Sequence, residues 1–169
     1  MKVIIDSKEL DLTILRLTHQ LQEDIDANDE LVIIGIQPRG VKFSDRVVAQ
    51  LRQLRKEDRI LYGLLDITFY RDDVRQELHV ANKTDMPFSI EGKRVILMDD
   101  VLFTGRTVRA ALDALQDFGR PASVKLCVLV DRLYNRELPV RPDYCGKAID
   151  SSMTQEVKVS WEKGCVELY

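Results

Sequence analysis

The sequence predicts an α/β domain with a mostly parallel central sheet flanked by helices. Short apolar runs rich in β-branched residues recur along the chain, and segments with helical periodicity separate them. Runs that are apolar on both faces are typical of parallel strands covered by helices on both sides. The length of 169 residues and the apolar content of 45% suit one well-buried core. We therefore expect residues 1–169 to form a single domain.

The first predicted elements are a helix, a strand and a second helix. Apolar residues recur at three- and four-residue steps through residues 10–25, which predicts an amphipathic helix. The β-branched run Leu31–Ile36 predicts a strand, and Pro38-Arg39-Gly40 ends it. Apolar spacing over residues 41–51 then predicts the next helix.

Further strands are predicted at residues 60–68, 94–98 and 124–130, with a helix over 109–115 that Gly119 and Pro121 end. The segment 71–93 differs, because it is polar and has no sustained period. Long polar insertions in compact α/β domains are often mobile lids, so we predict a lid here. A two-stranded hairpin without a function is the alternative.

Charge and composition exclude several classes of protein. A net charge of −3 argues against general nucleic-acid binding but leaves room for a local basic face. No apolar run approaches the roughly 20 residues that span a bilayer, and no signal peptide is evident. Cys127, Cys145 and Cys165 lack metal-type spacing, which favours a reducing cytoplasm and a core position for Cys127.

The most informative stretch is residues 95–107. Four apolar residues precede Asp99 and Asp100, and Thr104-Gly105-Arg106-Thr107 then leads into a helix. Ligands of open α/β sheets collect beyond the carboxyl ends of the strands. Free amides at a helix start, with hydroxyl donors and a glycine that permits close approach, suit a phosphate.

The two carboxylates suit a different part of the same ligand. Asp99 and Asp100 can accept hydrogen bonds from vicinal sugar hydroxyls or hold Mg²⁺ through water. Because a phosphate and carboxylates repel each other, they should grip opposite ends of one ligand, and ribose 5-phosphate has that layout. The alternative is that the acids only cap the helix. The sequence has neither a Walker A loop nor a G-x-G-x-x-G fingerprint.

Residues 95–107 resemble the thirteen-residue phosphoribosyl diphosphate (PRPP) motif of type I phosphoribosyltransferases. The wider chain is similar to the PyrR family, bifunctional pyrimidine-operon regulators with uracil phosphoribosyltransferase activity. The segments that carry this similarity are 65–73, 104–113, 119–121, 129–132 and 136–139. The resemblance implies a type I phosphoribosyltransferase fold with a flexible lid at about 71–93 and a small C-terminal hood from about 131–169.

The resemblance also implies the reaction of uracil with PRPP to give UMP and diphosphate. Mg²⁺ would enter with PRPP rather than occupy an all-protein site, and the protein would be a homodimer or a dimer of dimers. Asp99, Asp100 and Arg39 would be the catalytic residues, and Asp131 and Arg132 would meet the base. The residues expected to contact PRPP or UMP are Pro38, Arg39, Gly40, Arg71, Asp99, Asp100, Val101, Leu102, Phe103, Thr104, Gly105, Arg106 and Thr107.

Several of these roles have simpler alternatives. Arg39 and Arg71 could be surface charges, and Asp131 could make only a strand-end hydrogen bond. The sequence also departs from the family pattern. Pro38 stands where relatives often have Thr, which removes a backbone donor. Residues 131–138 are one residue longer than the usual segment and lack its His, and the lid is short.

A second implied partner is the leader of the pyrimidine-operon (pyr) mRNA. The residues that match the family's RNA surface are Arg16, His19, Arg136, Arg141 and Lys147. Each could instead be an ordinary surface charge or, for His19, a partly buried helix residue, and an acidic group at Glu23, Asp24, Asp26 and Asp29 opposes RNA binding. Two other functions stay open: an RNA-binding regulator with little catalysis, and transfer to hypoxanthine, guanine or orotate.

Overall fold

The computed structural model describes residues 1–25, 29–55, 59–72 and 83–169. Single turns of 3-10 helix lie at Thr68–Tyr70 and Gln116–Phe118. The main elements in chain order are β1 (Lys2–Ile5), α1 (Ser7–Glu23), β2 (Leu31–Ile36), α2 (Val41–Leu54), β3 (Ile60–Leu65), β4 (Arg94–Leu102), α3 (Arg106–Leu115), β5 (Ser123–Leu133), β6 (Tyr144–Asp150), β7 (Val157–Ser160) and β8 (Cys165–Leu168).

The central sheet has five strands in the order β3-β2-β4-β5-β6, and every neighbouring pair is parallel. This confirms the predicted α/β architecture. β4 and β5 extend beyond the predicted ends because they continue through polar residues, Asp99 and Asp100 in one and Asp131 and Arg132 in the other. β3 ends three residues before the predicted boundary, and a 3-10 turn follows.

The two faces of the sheet are covered by different helices. Ile33, Ile96 and Met98 pack in one core cluster with the apolar residues of α1 and α2. Ile34 and Leu97 pack in a second cluster with α3 on the opposite face. Consequently the chain leaves β2 toward one face and leaves the adjacent strand β4 toward the other. This is the topological switch point at which open α/β sheets bind ligands.

A smaller antiparallel sheet, in the order β1-β8-β7, joins the two ends of the chain. Val157 and Val166 are buried in the core on the α1 and α2 side, together with Ile5. β7 and β8 fall within the residues predicted to form a C-terminal hood, whereas β1 does not. The hood from about residue 131 remains a prediction.

The middle of the predicted lid, residues 73–82, lies outside the described residues. Its C-terminal part is attached to the domain. Asp85 and Leu64 exchange two backbone hydrogen bonds of 2.8 and 2.9 Å, and Ile90 is completely buried in the α3-side core. Within the described ranges, no helix combines the length and apolar character needed to cross a bilayer.

Candidate active site

A cavity of about 380 Å³ opens at the switch point between β2 and β4. Of the residues predicted to contact PRPP or UMP, every one except Gly40 lines it, and Arg132 joins them. A volume of this size is within the range of small-molecule sites. The structure therefore brings into one pocket residues that are distant in sequence, from Pro38 to Arg132.

Gly40 does not line the cavity, but it allows the start of α2 to lie close to β4. A Cβ atom on Gly40 would lie 2.5 Å from the Met98 carbonyl oxygen and 2.7 Å from that of Ile36. It would also lie 3.1 Å from the Cα atom of Asp99. Only glycine allows the start of α2 to pass so close to β4, directly behind the two carboxylates.

The paired acids occupy the part of β4 that extends past its neighbour β2. Pairing with β2 ends at Met98, and Asp99 and Asp100 are only 6% and 5% exposed. Each carboxylate accepts a hydrogen bond from the following backbone N–H, at 2.9 and 2.7 Å. Neither acid caps α3, whose N-cap is Gly105 without a side-chain cap, so the capping alternative is wrong.

Burial makes the charge on these acids unfavourable. It raises the pKa of Asp99 well above its usual range, and the charge of Asp100 raises it further. Burial also raises the pKa of Asp100, although Arg39 opposes the shift. The Arg39 Nε atom lies 3.5 Å from Asp100 Oδ2. Acids whose pKa values are raised inside a cleft are typical of functional sites, where a ligand supplies the missing donors or cation.

The loop after β4 has the geometry of an anion cradle. Gly105 adopts the left-handed conformation, with φ of 94°, and α3 begins at the next residue. The first-turn amides of a helix have no intrahelical acceptor, and the helix dipole favours an anion there. The Thr104 hydroxyl accepts from the Arg106 N–H at 3.4 Å, and Thr107 also lines the cavity.

Several charged side chains around this cradle are already paired with one another. Arg106 directs its side chain to Glu137 at 2.5 Å and to Asp72 at 3.0 Å, so its guanidinium is already engaged within the chain. Asp72 also accepts from Arg109 at 3.2 Å. These ion pairs attach Asp72, at the described beginning of the predicted lid, to α3. The neighbouring Arg71 lines the cavity.

The end of β5 contributes a buried arginine. Arg132 is 4% exposed, its guanidinium carbon lies 3.7 Å from the centre of the Phe103 ring, and its Nε donates to the Ser151 hydroxyl at 2.9 Å. Asp131 is ion-paired with Arg136 and does not line the cavity. That pairing matches the strand-end alternative, and a contact between Asp131 and the base remains a prediction.

Sequence reasoning missed Gln37 and Glu137, which also line the cavity. The Gln37 side-chain amide donates to the Lys83 carbonyl at 2.9 Å, while its buried Oε1 has no partner among the described residues. The position of Gln37 at the carboxyl end of β2, next to Pro38, was the available signal. Glu137 gave no signal, because its distance from Arg106 depends on how the loop after β5 folds back.

The candidate RNA residues fall into two groups. Arg16 bonds to the carbonyl oxygens of Cys145 and Gly146, and Lys147 bonds to Glu9 and to the Ile4 carbonyl, each at 2.7 Å. Arg136 is also engaged within the chain. His19 and Arg141 are exposed, so the partly buried alternative for His19 is wrong.

The acidic group that opposed RNA binding is partly engaged as well. Asp24 accepts from the Tyr144 hydroxyl at 2.7 Å, and Asp29 pairs with Arg94 at 2.5 Å. Glu23 is exposed, and Asp26 lies outside the described residues. Because Arg94 balances the charge of Asp29, the repulsion that this group exerts on a polyanion is smaller than its number of acids implies.

Comparisons with known proteins agree with this geometry. The phosphoribosyl transferase domain model matches residues 4–163. The chain is similar to the Bifunctional protein PyrR of Elusimicrobium minutum, with 44% identity over 94% of this chain and 88% of that protein. The Bifunctional protein PyrR 1 of Lactiplantibacillus plantarum is 47% identical over 95% and 90% of the two chains.

Solved structures show the same fold at lower identity. A hypoxanthine phosphoribosyltransferase from Staphylococcus aureus superposes with a TM-score of 0.71 at 23% identity, covering 90% of this chain and 80% of that one. A hypoxanthine-guanine phosphoribosyltransferase from Bacillus anthracis gives 0.71 at 19% identity, over 90% and 84%. The paired acids at the mouth of β4, the cradle at the start of α3 and the similarity along the whole chain lead to one conclusion. The chain belongs to the PyrR family of phosphoribosyltransferases.

Proposed function

We propose that the protein transfers the phosphoribosyl group of PRPP to uracil, giving UMP and diphosphate. The observation that carries this proposal is the layout of a single cavity. Asp99 and Asp100, two buried carboxylates toward the end of β4, line this cavity. The anion cradle at Gly105, at the end of the loop that follows β4, lines the same cavity. A ribose 5-phosphate presents hydroxyls and a phosphate in the complementary arrangement.

In this proposal the carboxylates of Asp99 and Asp100 accept hydrogen bonds from the ribose hydroxyls. The amides of residues 103–107 and the hydroxyls of Thr104 and Thr107 hold the 5-phosphate. The bond between C1 and the diphosphate breaks, and its electron pair leaves with the diphosphate. Uracil then bonds to C1 through a ring nitrogen and loses the proton of that nitrogen.

Catalysis in this scheme is positioning together with charge stabilisation. The oxocarbenium-like centre at C1 develops near two carboxylates, whereas Arg39, 59% exposed at the rim, faces the departing diphosphate. A closing lid that carries Arg71 would exclude water, which otherwise would hydrolyse PRPP.

The two acids also fit Mg²⁺. Each acid has one oxygen bonded to a backbone N–H. The second oxygen of Asp99 is left as a possible ligand, whereas the second oxygen of Asp100 lies 3.5 Å from the Arg39 Nε atom. Within the described ranges, no cluster of three or more His, Cys, Asp or Glu side chains could hold a metal. Mg²⁺ usually keeps several waters and binds substrate phosphates together with one or two carboxylates. When bound with PRPP, Mg²⁺ would neutralise charge on the diphosphate.

We propose a second function, UMP-responsive binding of the pyr mRNA leader in the cytoplasm. The curated relatives carry the name Bifunctional protein PyrR. Arg16 reaches the backbone of β6 one residue before Lys147, so these cations share a surface with His19, one helical turn further along α1. We also propose a homodimer or a dimer of dimers, the closed symmetry that is common among soluble oligomers.

The transferase proposal is tested by measuring UMP formation from uracil, PRPP and Mg²⁺. We expect Asp99→Asn/Asp100→Asn to lower turnover by about 100-fold or more, because the ribose loses its charged acceptors. Asp150→Asn, at an exposed carboxylate on the end of β6, is the matched control and should keep full activity. Unchanged turnover in the folded double variant would show that the site lies elsewhere.

The base is tested in the same assay by replacing uracil with hypoxanthine, guanine or orotate. We expect the highest kcat/KM for uracil. A higher kcat/KM for a purine or for orotate would retain the phosphoribosyl site and reject uracil as the acceptor.

A further inference from the structure

The segment 136–140, which follows β5, packs against the anion cradle. The backbone N–H groups of Glu137 and Leu138 both donate to the Thr104 carbonyl, at 2.9 and 3.2 Å. A Cβ atom on Gly105 would lie 3.3 Å from Val140 and 3.4 Å from Leu138. These contacts run along the cradle, so we call residues 136–140 the brace.

Arg136 is the centre of the brace. Its side chain is 19% exposed, and its guanidinium donates to the Phe103 carbonyl and to the carboxylate of Asp131. Its Nε donates to the Val140 carbonyl at 2.8 Å. One planar fork therefore joins three parts of the chain: the cradle, the end of β5 and the far end of the brace.

We infer that Arg136 is a positioning residue of the phosphoribosyl site. It holds the Phe103 carbonyl, and with it the peptide planes of the cradle, in the orientation that presents their N–H groups to a phosphate. Such donors are effective only when their positions are fixed before the ligand arrives. The inference rests on the proposed function, since it assumes that the cradle binds the ribose 5-phosphate.

The chemistry of the contact explains why arginine is required. A guanidinium has five donors in a rigid fork, whereas a lysine ammonium is a point charge on a flexible stem. The buried Asp131, 8% exposed in its side chain, balances the charge of Arg136. A direct contact between Arg136 and RNA would require donors at the surface, but its donors are directed at Phe103, Asp131 and Val140.

The most informative variant is Arg136→Lys. It keeps a cation beside Asp131 but cannot span the Phe103 and Val140 carbonyls together. We expect the KM for PRPP and the Kd for ribose 5-phosphate to rise by about 10- to 100-fold. The KM for uracil should stay within about twofold of the parent value, a split that general loss of structure would not produce. Arg120→Gln, at an exposed arginine remote from the brace, is the control.

A second variant keeps the test valid if Arg136→Lys folds poorly. Asp131→Asn/Arg136→Gln removes both charges of the buried pair and should fold. Ribose 5-phosphate has no base, so its binding does not involve the predicted base contact of Asp131. Folded variants that bind ribose 5-phosphate as tightly as the parent would overturn the inference. A parent protein that binds ribose 5-phosphate without forming UMP would reject the transferase proposal, and weaker binding by the variants would still support the role of Arg136.

Discussion

At the residue scale, the site combines two buried carboxylates, whose ionisation is unfavourable, with a backbone cradle that suits an anion. Asp99 and Asp100 are adjacent acids in a buried strand, and their raised pKa values reflect that burial. Sequence reasoning identified both acids, because charged residues after an apolar strand are easy to recognise. It placed Arg136 among the candidate RNA residues, which remains a prediction, but a sequence does not reveal that the guanidinium also donates to the Phe103 carbonyl.

Replacing one buried acid should stabilise the protein without its ligand. A folded-state pKa above the unfolded value means that ionisation of Asp99 opposes folding, so its stabilising contribution is present at low pH and is lost as pH rises through the folded pKa. Asp99→Asn removes this loss of stability at high pH and keeps a side-chain oxygen that accepts from the Asp100 N–H. We expect the Tm of the variant to exceed that of the parent at pH 7, by about 2–4 °C for each kcal/mol gained.

Thermal melts between pH 4 and pH 8 test this expectation. The Tm advantage of Asp99→Asn should be small near pH 4, grow as pH rises and level off above the folded pKa of Asp99. Asp150→Asn should show no such trend. An advantage that is largest at low pH would mean that the carboxylate stabilises the fold, contrary to the raised pKa.

At the element scale, the ends of the strands determine the site. Periodicity located the apolar centres of β2, β4 and β5, since buried runs are distinct in sequence. It placed the ends of β4 and β5 too early because Asp99, Asp100, Asp131 and Arg132 interrupt the apolar pattern while continuing the strands. The association of the brace with the cradle could not be predicted, because it joins segments more than thirty residues apart through backbone hydrogen bonds.

Gly40 is the element-scale test of this geometry. Gly40→Ala should push the start of α2 away from β4, because its Cβ would lie 2.5 Å from the Met98 carbonyl oxygen. We expect destabilisation of about 1–3 kcal/mol and a loss of UMP formation larger than the fraction unfolded explains. Denaturant unfolding and the transferase assay measure the two effects.

Ala49→Gly supplies the control for this variant. Ala49 is exposed on the same helix. The glycine should lower the free energy of unfolding by about 1 kcal/mol without moving the loop between β2 and α2. Its activity should follow its folded fraction. Equal activity in Gly40→Ala and Ala49→Gly at matched folded fractions would contradict the close-approach argument.

At the scale of the whole molecule, the cradle and the proposed RNA surface are connected. The brace contacts Thr104 and Gly105 along its length, and exposed Arg141 follows directly after it. We therefore expect a phosphate in the cradle to influence the position of Arg141, a predicted RNA contact. Neither the net charge nor the acidic group near the end of α1 revealed this connection, because it depends on the folded path of residues 133–141.

This arrangement predicts RNA binding that depends on both salt and UMP. A gel shift with the organism's own pyr mRNA leader should show tighter binding with UMP present, and log K should fall linearly with log salt concentration. Arg141→Gln should reduce the magnitude of that slope by about one, as expected for the loss of one phosphate contact. Arg120→Gln should leave it unchanged, and a UMP-independent shift would argue against regulation by the nucleotide.

The most direct test of the central claim is a crystal structure of the protein with UMP. We expect the 5′-phosphate on the amides of residues 103–107 and the ribose hydroxyls within hydrogen-bond distance of the Asp99 and Asp100 carboxylates. A nucleotide bound elsewhere, with the mouth of β4 unoccupied, would contradict the assignment of this site.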